Sequence, residues 1–135
     1  MLRYLLDTNT ASHVIKGNVP RVRERLLKVP TTDVAVSVIT EAELLFGLRR
    51  RPEATRLAIA VGDFLKYVDI RPWDSVAASH YAELRAVLDM AGTPMGNLDL
   101  MIAAHALSLG TILVSGDRLF RRIKGLTVED WGRLA

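Results

Sequence analysis

The sequence contains no cysteine among its 135 residues. This absence excludes disulfide bonds, thiol nucleophiles and cysteine-based zinc sites together. Histidine is scarce as well, with His13, His80 and His105 the only three, and their spacing matches no zinc-binding signature. We therefore interpret each histidine as a packed or surface residue rather than as a metal ligand.

Long apolar runs are also missing. The run at residues 100–104 falls far short of the ~20 residues that a membrane-spanning helix needs. Near the amino end, Arg3 interrupts the first apolar stretch and Asp7 ends it, so a signal-peptide core of roughly 7–15 apolar residues cannot form. We expect a cytoplasmic protein with no membrane partner.

The composition is that of a globular protein, with half of the residues hydrophobic and about a quarter charged. A chain of 135 residues has the size of one domain, and we expect a single domain over residues 1–135. If four of the 15 acids are committed to a metal site, 18 basic residues face 11 acids elsewhere. That excess of positive charge favours a polyphosphate partner.

Alternating short apolar segments and amphipathic segments predict the fold. Five segments have the pattern of buried strands: residues 2–6, 34–39, 68–70, 111–114 and 126–128. Helices are expected at residues 20–29, 40–51, 53–67, 75–90 and 97–109, directly after Asp7, and briefly around Phe120. This order predicts an α/β fold of three layers, α/β/α, around a central parallel sheet of about four to five strands.

Four acids fall where such a sheet binds ligands, beyond the carboxyl ends of its strands. They are Asp7 and Asp117 after predicted strands, Glu43 in the first turn of the helix after the second strand, and Asp99 at the start of the apolar helix. Each acid alone has a structural explanation, because helix N-termini favour acids and TEAE at residues 40–43 fits a capping box.

The joint pattern points to a cation. Asp7 and Asp99 have apolar neighbours, and anions clustered near a core raise one another's pKa unless a positive group neutralises them. Carboxylate oxygens without histidine or thiolate suit Mg²⁺ or Mn²⁺. Glu41 competes with Glu43 for the inward position, because residues two apart on a helix differ by about 200°. Spacing alone leaves that choice open.

Four segments, in order, carry a resemblance to a known family. They are LLDTN at residues 5–9, SVITEAEL at 37–44 followed by Gly47, TPMGNLD at 93–99 leading into MIAAH at 101–105, and SGD at 115–117 with Phe120. The terminal LTVEDW at 126–131 is similar too. Over nearly its whole length the chain resembles PIN-domain nucleases of the VapC type, the toxins of bacterial type II toxin–antitoxin pairs.

The resemblance implies a metal-dependent endoribonuclease that hydrolyses RNA phosphodiesters and thereby inhibits translation and growth, with tRNA near the anticodon as one expected target. Mg²⁺ or Mn²⁺ would activate water for in-line attack. The resemblance selects Glu43 over Glu41, and the implied catalytic and metal-binding acids are Asp7, Glu43, Asp99 and Asp117. The groups implied to orient carboxylates or waters are Thr8, Asn9, Thr40 and Ser115, the last standing where many relatives have threonine.

Partners follow from the same resemblance. It implies a homodimer and a VapB-like antitoxin whose tail covers the acidic groove and inserts a basic side chain. Two basic clusters, residues 49–51 and residues 118–124, have two readings: surface charge, or contacts to RNA phosphates with strong salt dependence.

Three other functions fit part of the pattern. An aspartyl phosphatase would use Asp7 as its nucleophile, but it usually needs a second acid where Asn9 stands. A receiver-type signalling domain would need an acid pair near the first strand and a lysine after a late strand, and neither is found. A non-catalytic RNA-binding module would keep the arginines without needing four acids, so cleavage that requires a divalent cation separates it from the enzyme.

Overall fold

The computed structural model describes residues 1–133. Within them, five strands form one sheet: β1 Tyr4–Leu6, β2 Val34–Ser37, β3 Asp69–Arg71, β4 Ile112–Val114 and β5 Val128–Glu129. The α-helices of the same range are α1 Thr8–Lys16, α2 Pro20–Leu27, α3 Val38–Arg49, α4 Thr55–Tyr67, α5 Ser75–Met90 and α6 Asn97–Leu109. Short 3₁₀ turns lie at Thr31–Asp33 and Arg118–Arg122.

The sheet has the order β3-β2-β1-β4-β5, and every neighbouring pair is parallel. In the centre, Leu5 lies opposite Ala35 on one side and Leu113 on the other. The predicted parallel sheet of four to five strands is thus confirmed. Because all strands run in one direction, their carboxyl ends share one side of the sheet, which we call the carboxyl edge.

Side chains of the central strand alternate between two apolar layers, as the strand's pleat requires. Tyr4 and Leu6 pack with helices α1, α2 and α4, whereas Leu5 packs with α5 and α6. Leu5 and Leu6 are fully buried, and burying one such side chain contributes about 1.5–3 kcal/mol. Helices cover both faces of the sheet, which confirms the three-layer prediction.

The start of α3 differs from the prediction. Strand β2 ends at Ser37 and the helix begins at Val38, whereas the sequence predicted a strand to residue 39 and a helix from Thr40. Ser37 caps the helix, because its hydroxyl accepts the Ile39 N–H at 3.1 Å, so the helix begins within a β-branched run. The capping box at 40–43 is therefore wrong, and Glu43 lies in the second turn instead of the first.

Helix α5 matches its predicted bounds, Ser75–Met90. Its buried face is narrow, because Val76 and Val87 are 55% and 59% exposed while Ala77 and Leu88 are buried. The two valines flank the stripe that packs against α6. With 16 residues α5 is the longest helix, and no helix of residues 1–133 has the length and apolar character needed to cross a membrane.

Other element ends differ from the prediction by a few residues. Helix α4 begins at Thr55, β3 occupies Asp69–Arg71 and β5 occupies Val128–Glu129. Helix α6 ends at Leu109 as predicted, where Gly110 adopts a φ of 66° and terminates it. The shift of β5 toward the carboxyl end matters for the site, because it places Asp130 directly after a strand.

Candidate active site

The structure places the four predicted acids at the carboxyl edge. Asp7 follows β1 directly, and Asp117 lies shortly after β4, where it caps the 3₁₀ turn Arg118–Arg122. Glu43 projects from the second turn of α3, and Asp99 lies in the first turn of α6. Four different segments thus bring acids that are far apart in sequence to one side of the sheet.

Asp7 has a structural role and an available oxygen at the same time. It is the N-cap of α1, where its Oδ1 accepts the Thr10 N–H at 2.8 Å, and it is 5% exposed. Within residues 1–133 its Oδ2 has no hydrogen-bond partner. The cap therefore fixes the carboxylate at the edge and leaves one oxygen for a ligand.

A chain of hydroxyl groups holds Glu43. The Thr8 hydroxyl donates to Glu43 Oε1 at 2.6 Å, and the Thr40 hydroxyl lies 3.0 Å from that of Thr8. Because the single hydroxyl proton of Thr8 goes to Glu43, the fully buried Thr40 must be the donor to Thr8. Thr8 and Thr40 thus orient Glu43. The charge of Glu43 raises the pKa of Asp99, whereas Glu41 is not among the charges that act on it.

Asp117 is held by backbone contacts on both sides. Its Oδ1 accepts the Leu119 N–H at 2.9 Å, and its own N–H donates to the Ser115 hydroxyl at 3.0 Å. Ser115 is buried, so its hydroxyl fixes the backbone of the loop instead of reaching toward solvent. Asn9 differs from these groups, because it is exposed on the first turn of α1.

The raised pKa of Asp99 indicates that the four acids lie close to one another. Burial raises the pKa of the Asp99 carboxyl above its ordinary value of 3.8, and the charges of Asp117, Glu43 and Asp7 raise it further. In the described part of the chain, no salt bridge involves any of the four acids. Within these residues no direct ion pair therefore offsets the negative charge of the four acids.

Uncompensated carboxylates fit a hard divalent cation in chemistry and charge. The ligand shell itself is not assembled, since no three acidic or histidine side chains of residues 1–133 converge tightly enough to hold one ion. The hydrogen bonds to Thr8, Thr10 and Leu119 explain why, because they turn oxygens of three carboxylates toward the protein.

Sequence reasoning missed Asp130. It follows β5 directly, and its carboxylate oxygens lie 3.6 Å from where a Cβ on Gly116 would stand, beside Asp117. Its Oδ1 accepts the Gly132 N–H at 3.0 Å. The signal was present in the sequence, an acid directly after a strand, but the last strand was predicted to end at residue 128.

A buried pair behind the site was missed as well. His105 Nδ1 lies 2.7 Å from the Ser37 hydroxyl, which joins α6 to the N-cap of α3. Burial lowers the pKa of the His105 imidazole, although Asp74 and the Pro72 carbonyl act in the opposite direction. His105 is therefore a packed, neutral residue, as expected for this histidine, and its Nε2 has no hydrogen-bond partner among the described residues.

Two grooves flank the first turn of α1. The edge groove, of about 520 Å³, lies between α1 and the loops after β4 and β5, and its walls include Asn9, Asp117, Arg118, Arg121 and Asp130. A smaller groove of about 220 Å³ lies between α1 and α3 and includes Asn9, Glu43 and Arg51. The basic cluster at residues 118–124 is divided between two grooves. Arg118 and Arg121 line the edge groove, whereas Arg122 and Lys124 line a separate groove beside α5.

Comparison with known proteins identifies relatives over the full described fold. The family model of the PIN domain matches residues 4–126. The tRNA(fMet)-specific endonuclease VapC of Salmonella typhimurium is 38% identical over 132 residues, covering 97% of this chain and 99% of the relative. Ribonuclease VapC2 of Haemophilus influenzae is 36% identical, with the same coverage. The solved structure of DNA-bound VapBC from Salmonella typhimurium has a TM-score of 0.90 at 38% identity, and covers 97% and 99% of the two chains.

Proposed function

The chain belongs to the PIN domain family and is a VapC-type toxin ribonuclease, and we propose that it hydrolyses RNA at the carboxyl edge of its sheet. The observation that supports this site is the proximity of Asp99 to the charges of Asp117, Glu43 and Asp7, none of which is in a salt bridge within residues 1–133. We further propose that residues 1–135 form one nuclease domain and that tRNA, the substrate named for the Salmonella relative, is its substrate.

Each residue has a defined part in this proposal. Asp7, Glu43 and Asp99 hold a divalent cation, and Asp117 completes its surroundings. When bound, Mg²⁺ or Mn²⁺ lowers the pKa of water and offsets charge on the reacting phosphate. The protein's own contribution is orientation, which the capping bond of Asp7, the hydroxyls of Thr8 and Thr40 behind Glu43, and Ser115 behind Asp117 provide.

The arginines of the edge groove complete the proposed substrate site. Arg118 and Arg121 are exposed and line the same groove as Asp117, so their guanidinium groups are the proposed contacts to RNA phosphates. Such contacts make RNA binding weaken steeply as salt rises. Asn9 lines both grooves, so its side-chain amide is available to hydrogen-bond RNA bound in either one.

Cleavage of tRNA by the purified protein tests this function. We expect activity with Mg²⁺ or Mn²⁺, none in EDTA, and at least a hundredfold loss in Asp7→Asn and Asp99→Asn with the circular dichroism spectrum unchanged, because charge stabilisation of this kind contributes about 10²–10³. Asp89→Asn, an exposed acid on α5, is the matched control and should keep full activity. Full activity in EDTA, or in both site variants, would refute the proposal.

The antitoxin is the second partner we propose, and an apolar groove supports its docking place. A cavity of about 460 Å³ between α1, α2 and α4 is lined by Val14, Leu26, Leu27, Phe64 and Tyr67, with Leu27 79% exposed. The relative from Salmonella was solved as the VapBC complex, so an apolar segment of a VapB-like antitoxin is the occupant that fits. From there the antitoxin's tail would reach and cover the acidic edge.

Binding to the antitoxin from a neighbouring reading frame tests this docking place. Leu27→Asp should weaken the affinity at least tenfold, because a charge would be buried against the apolar segment. Val76→Asp, also at an exposed position (55%) but on α5 outside the groove, should bind as wild type does. Equal affinities of the two variants would place the antitoxin elsewhere.

A homodimer is also proposed, from exposed apolar side chains on α3. Leu45 and Phe46 are neighbours on this helix, and Phe46 is 62% exposed. The smaller groove beside Glu43 lies along the same helix, so contact between two copies through α3 would bring their acidic edges near each other. Because the proposed substrate is cellular RNA, the cytoplasm remains the expected compartment.

A further inference from the structure

The edge groove is large enough for more than the cleaved phosphate. Its volume of about 520 Å³ falls within the range of roughly 300–1,000 Å³ that is typical of small-ligand sites. It is continuous with the acidic site, because Asp117 and Asn9 form part of its wall. A ligand in this groove therefore lies beside Asp117.

The walls of the groove differ in chemical character. Val19, directly before α2, is partly exposed and gives the groove an apolar patch that suits a base, whereas Val22 in the same wall is only 2% exposed. Asp130, after β5, supplies a carboxylate to the same groove. Arg121 and Arg133 are exposed on its wall, and no salt bridge of residues 1–133 engages either one. An apolar face, an acceptor and free cations together match a nucleotide.

Asp130 has an oxygen that the fold does not use. The hydrogen bond from the Gly132 N–H to Oδ1 stabilises the turn after β5 and fixes the carboxylate in the wall. Oδ2 has no hydrogen-bond partner among the described residues. The carboxylate also rests on Gly116, with 3.6 Å to the position of a Cβ there, so it is held beside the loop that carries Asp117. An oriented acceptor in a groove is suited to a donor on the ligand.

We propose that the edge groove binds one nucleotide of the RNA, adjacent to the cleaved phosphate, and that Asp130 accepts a hydrogen bond from the exocyclic amino group of its base. The inference rests on the proposed ribonuclease function and adds a source of base preference to it. Adenine, cytosine and guanine carry such an amino group. Uracil presents a carbonyl oxygen there, which a carboxylate repels, so the groove disfavours uracil.

Mononucleotide binding tests the groove without any cleavage. CMP and UMP are a matched pair of probes, because they differ at the amino or carbonyl group that Asp130 would face. NMR titration of the metal-free protein should give about tenfold tighter binding of CMP, since only cytosine can donate a hydrogen bond to the charged carboxylate at this position. In Asp130→Asn the difference should vanish, because the amide can also donate to uracil, whereas Arg121→Gln should weaken both nucleotides alike.

Cleavage of a random-sequence RNA pool adds a second readout. Sequencing the new ends should show uracil depleted about tenfold at one position beside the cut for wild type and for the control Asp89→Asn. Asp130→Asn should lose that depletion, whatever its overall cleavage rate. Equal binding of CMP and UMP by wild type, or a preference that survives in Asp130→Asn, overturns the proposal. Absent RNA cleavage with intact CMP preference would instead refute the ribonuclease function and leave the nucleotide groove in place.

Discussion

Asp7 accepts the Thr10 N–H with one carboxylate oxygen and keeps the other free, so it is both a helix cap and a candidate ligand. The same holds for Asp117, which caps a 3₁₀ turn. From the sequence, capping and metal binding were alternative readings of these residues. At the carboxyl edge they are compatible, because a parallel sheet places helix N-termini where it also places ligands.

The raised pKa of Asp99 gives a prediction for the metal-free protein. In the folded state the Asp99 carboxyl binds its proton more tightly than in the unfolded chain, where its pKa has the ordinary value of 3.8. Stability should therefore fall as pH rises through the range between the two pKa values. Asp99→Asn should flatten this fall and be more stable than wild type at pH 7 in EDTA.

Urea unfolding between pH 4 and pH 8, with EDTA, measures this effect. Adding Mg²⁺ should stabilise wild type more than Asp99→Asn, since the ion neutralises the charge that the variant lacks. A variant that is less stable than wild type in EDTA, with an unchanged pH dependence, would contradict the electrostatic account of Asp99.

The hydroxyl chain behind Glu43 gives a second prediction. Thr8→Val removes the donor 2.6 Å from Glu43 and should reduce metal affinity or activity about 10–100-fold, as is typical for groups that orient metal ligands. Thr8→Ser keeps the hydroxyl and should retain most of the activity. Cleavage rates measured across a Mg²⁺ titration test this, and equal rates for the valine and serine variants would exclude the role.

Single residues also show what the sequence could not provide. Glu41 and Glu43 are both possible from spacing; the resemblance selects Glu43, and the hydrogen bond from Thr8 shows that Glu43 is the one that faces Thr8 and Asp99. Asp130 was missed because its significance depends on the end of β5, and strand ends are where pattern reasoning is least reliable. The acids of the site could be recognised from the sequence, whereas their contacts depend on where each helix and strand begins and ends.

Among the elements, α3 and α6 are joined by the contact between Ser37 and His105, which we call the tie. Ser37 accepts the Ile39 N–H as the N-cap of α3 and also contacts His105 of α6. These two helices carry Glu43 and Asp99, so the tie stabilises the relative position of two acids. The sequence predicted the end of α6 correctly, because Gly110 terminates it. The start of α3 was predicted too late, because the β-branched residues after Ser37 favour a strand.

Removing this tie should destabilise the fold. Ser37→Ala loses a helix cap and leaves His105 Nδ1 buried without a partner, at a cost of about 2 kcal/mol. Ser79→Ala, exposed on α5, should change stability by less than about 0.5 kcal/mol. Chemical denaturation of both variants at pH 7 measures the difference, and a Ser37→Ala cost no larger than that of Ser79→Ala would contradict the role of the tie.

For the whole molecule, the sheet order explains where the site lies. β1 is central, with β2 and β3 on one side and β4 and β5 on the other, so connections diverge in opposite directions at its carboxyl end. Such a switch point opens a crevice between the helices, and Asp7 lies at its centre. The sequence predicted parallel strands from the alternating elements. It did not predict their order, because several orders satisfy the same connections.

Self-association is the prediction that belongs to the whole molecule. If α3 forms the homodimer contact, Phe46→Glu should shift the protein to monomer, because a charge would be buried between the copies. Ile59→Glu, on α4 and similarly exposed, should leave the dimer intact. Sedimentation equilibrium distinguishes these states, and a Phe46→Glu protein that remains dimeric would remove α3 from the interface.

The most direct measurement compares two carboxylates on one helix. Glu43→Gln and Glu41→Gln make the same chemical change two residues apart, but only Glu43 contacts Thr8 and acts on Asp99. Rates of Mg²⁺-dependent tRNA cleavage should fall at least a hundredfold in Glu43→Gln and stay within threefold of wild type in Glu41→Gln. Equal rates for the two variants, or a larger loss in Glu41→Gln, would contradict a nuclease site built from the carboxyl edge.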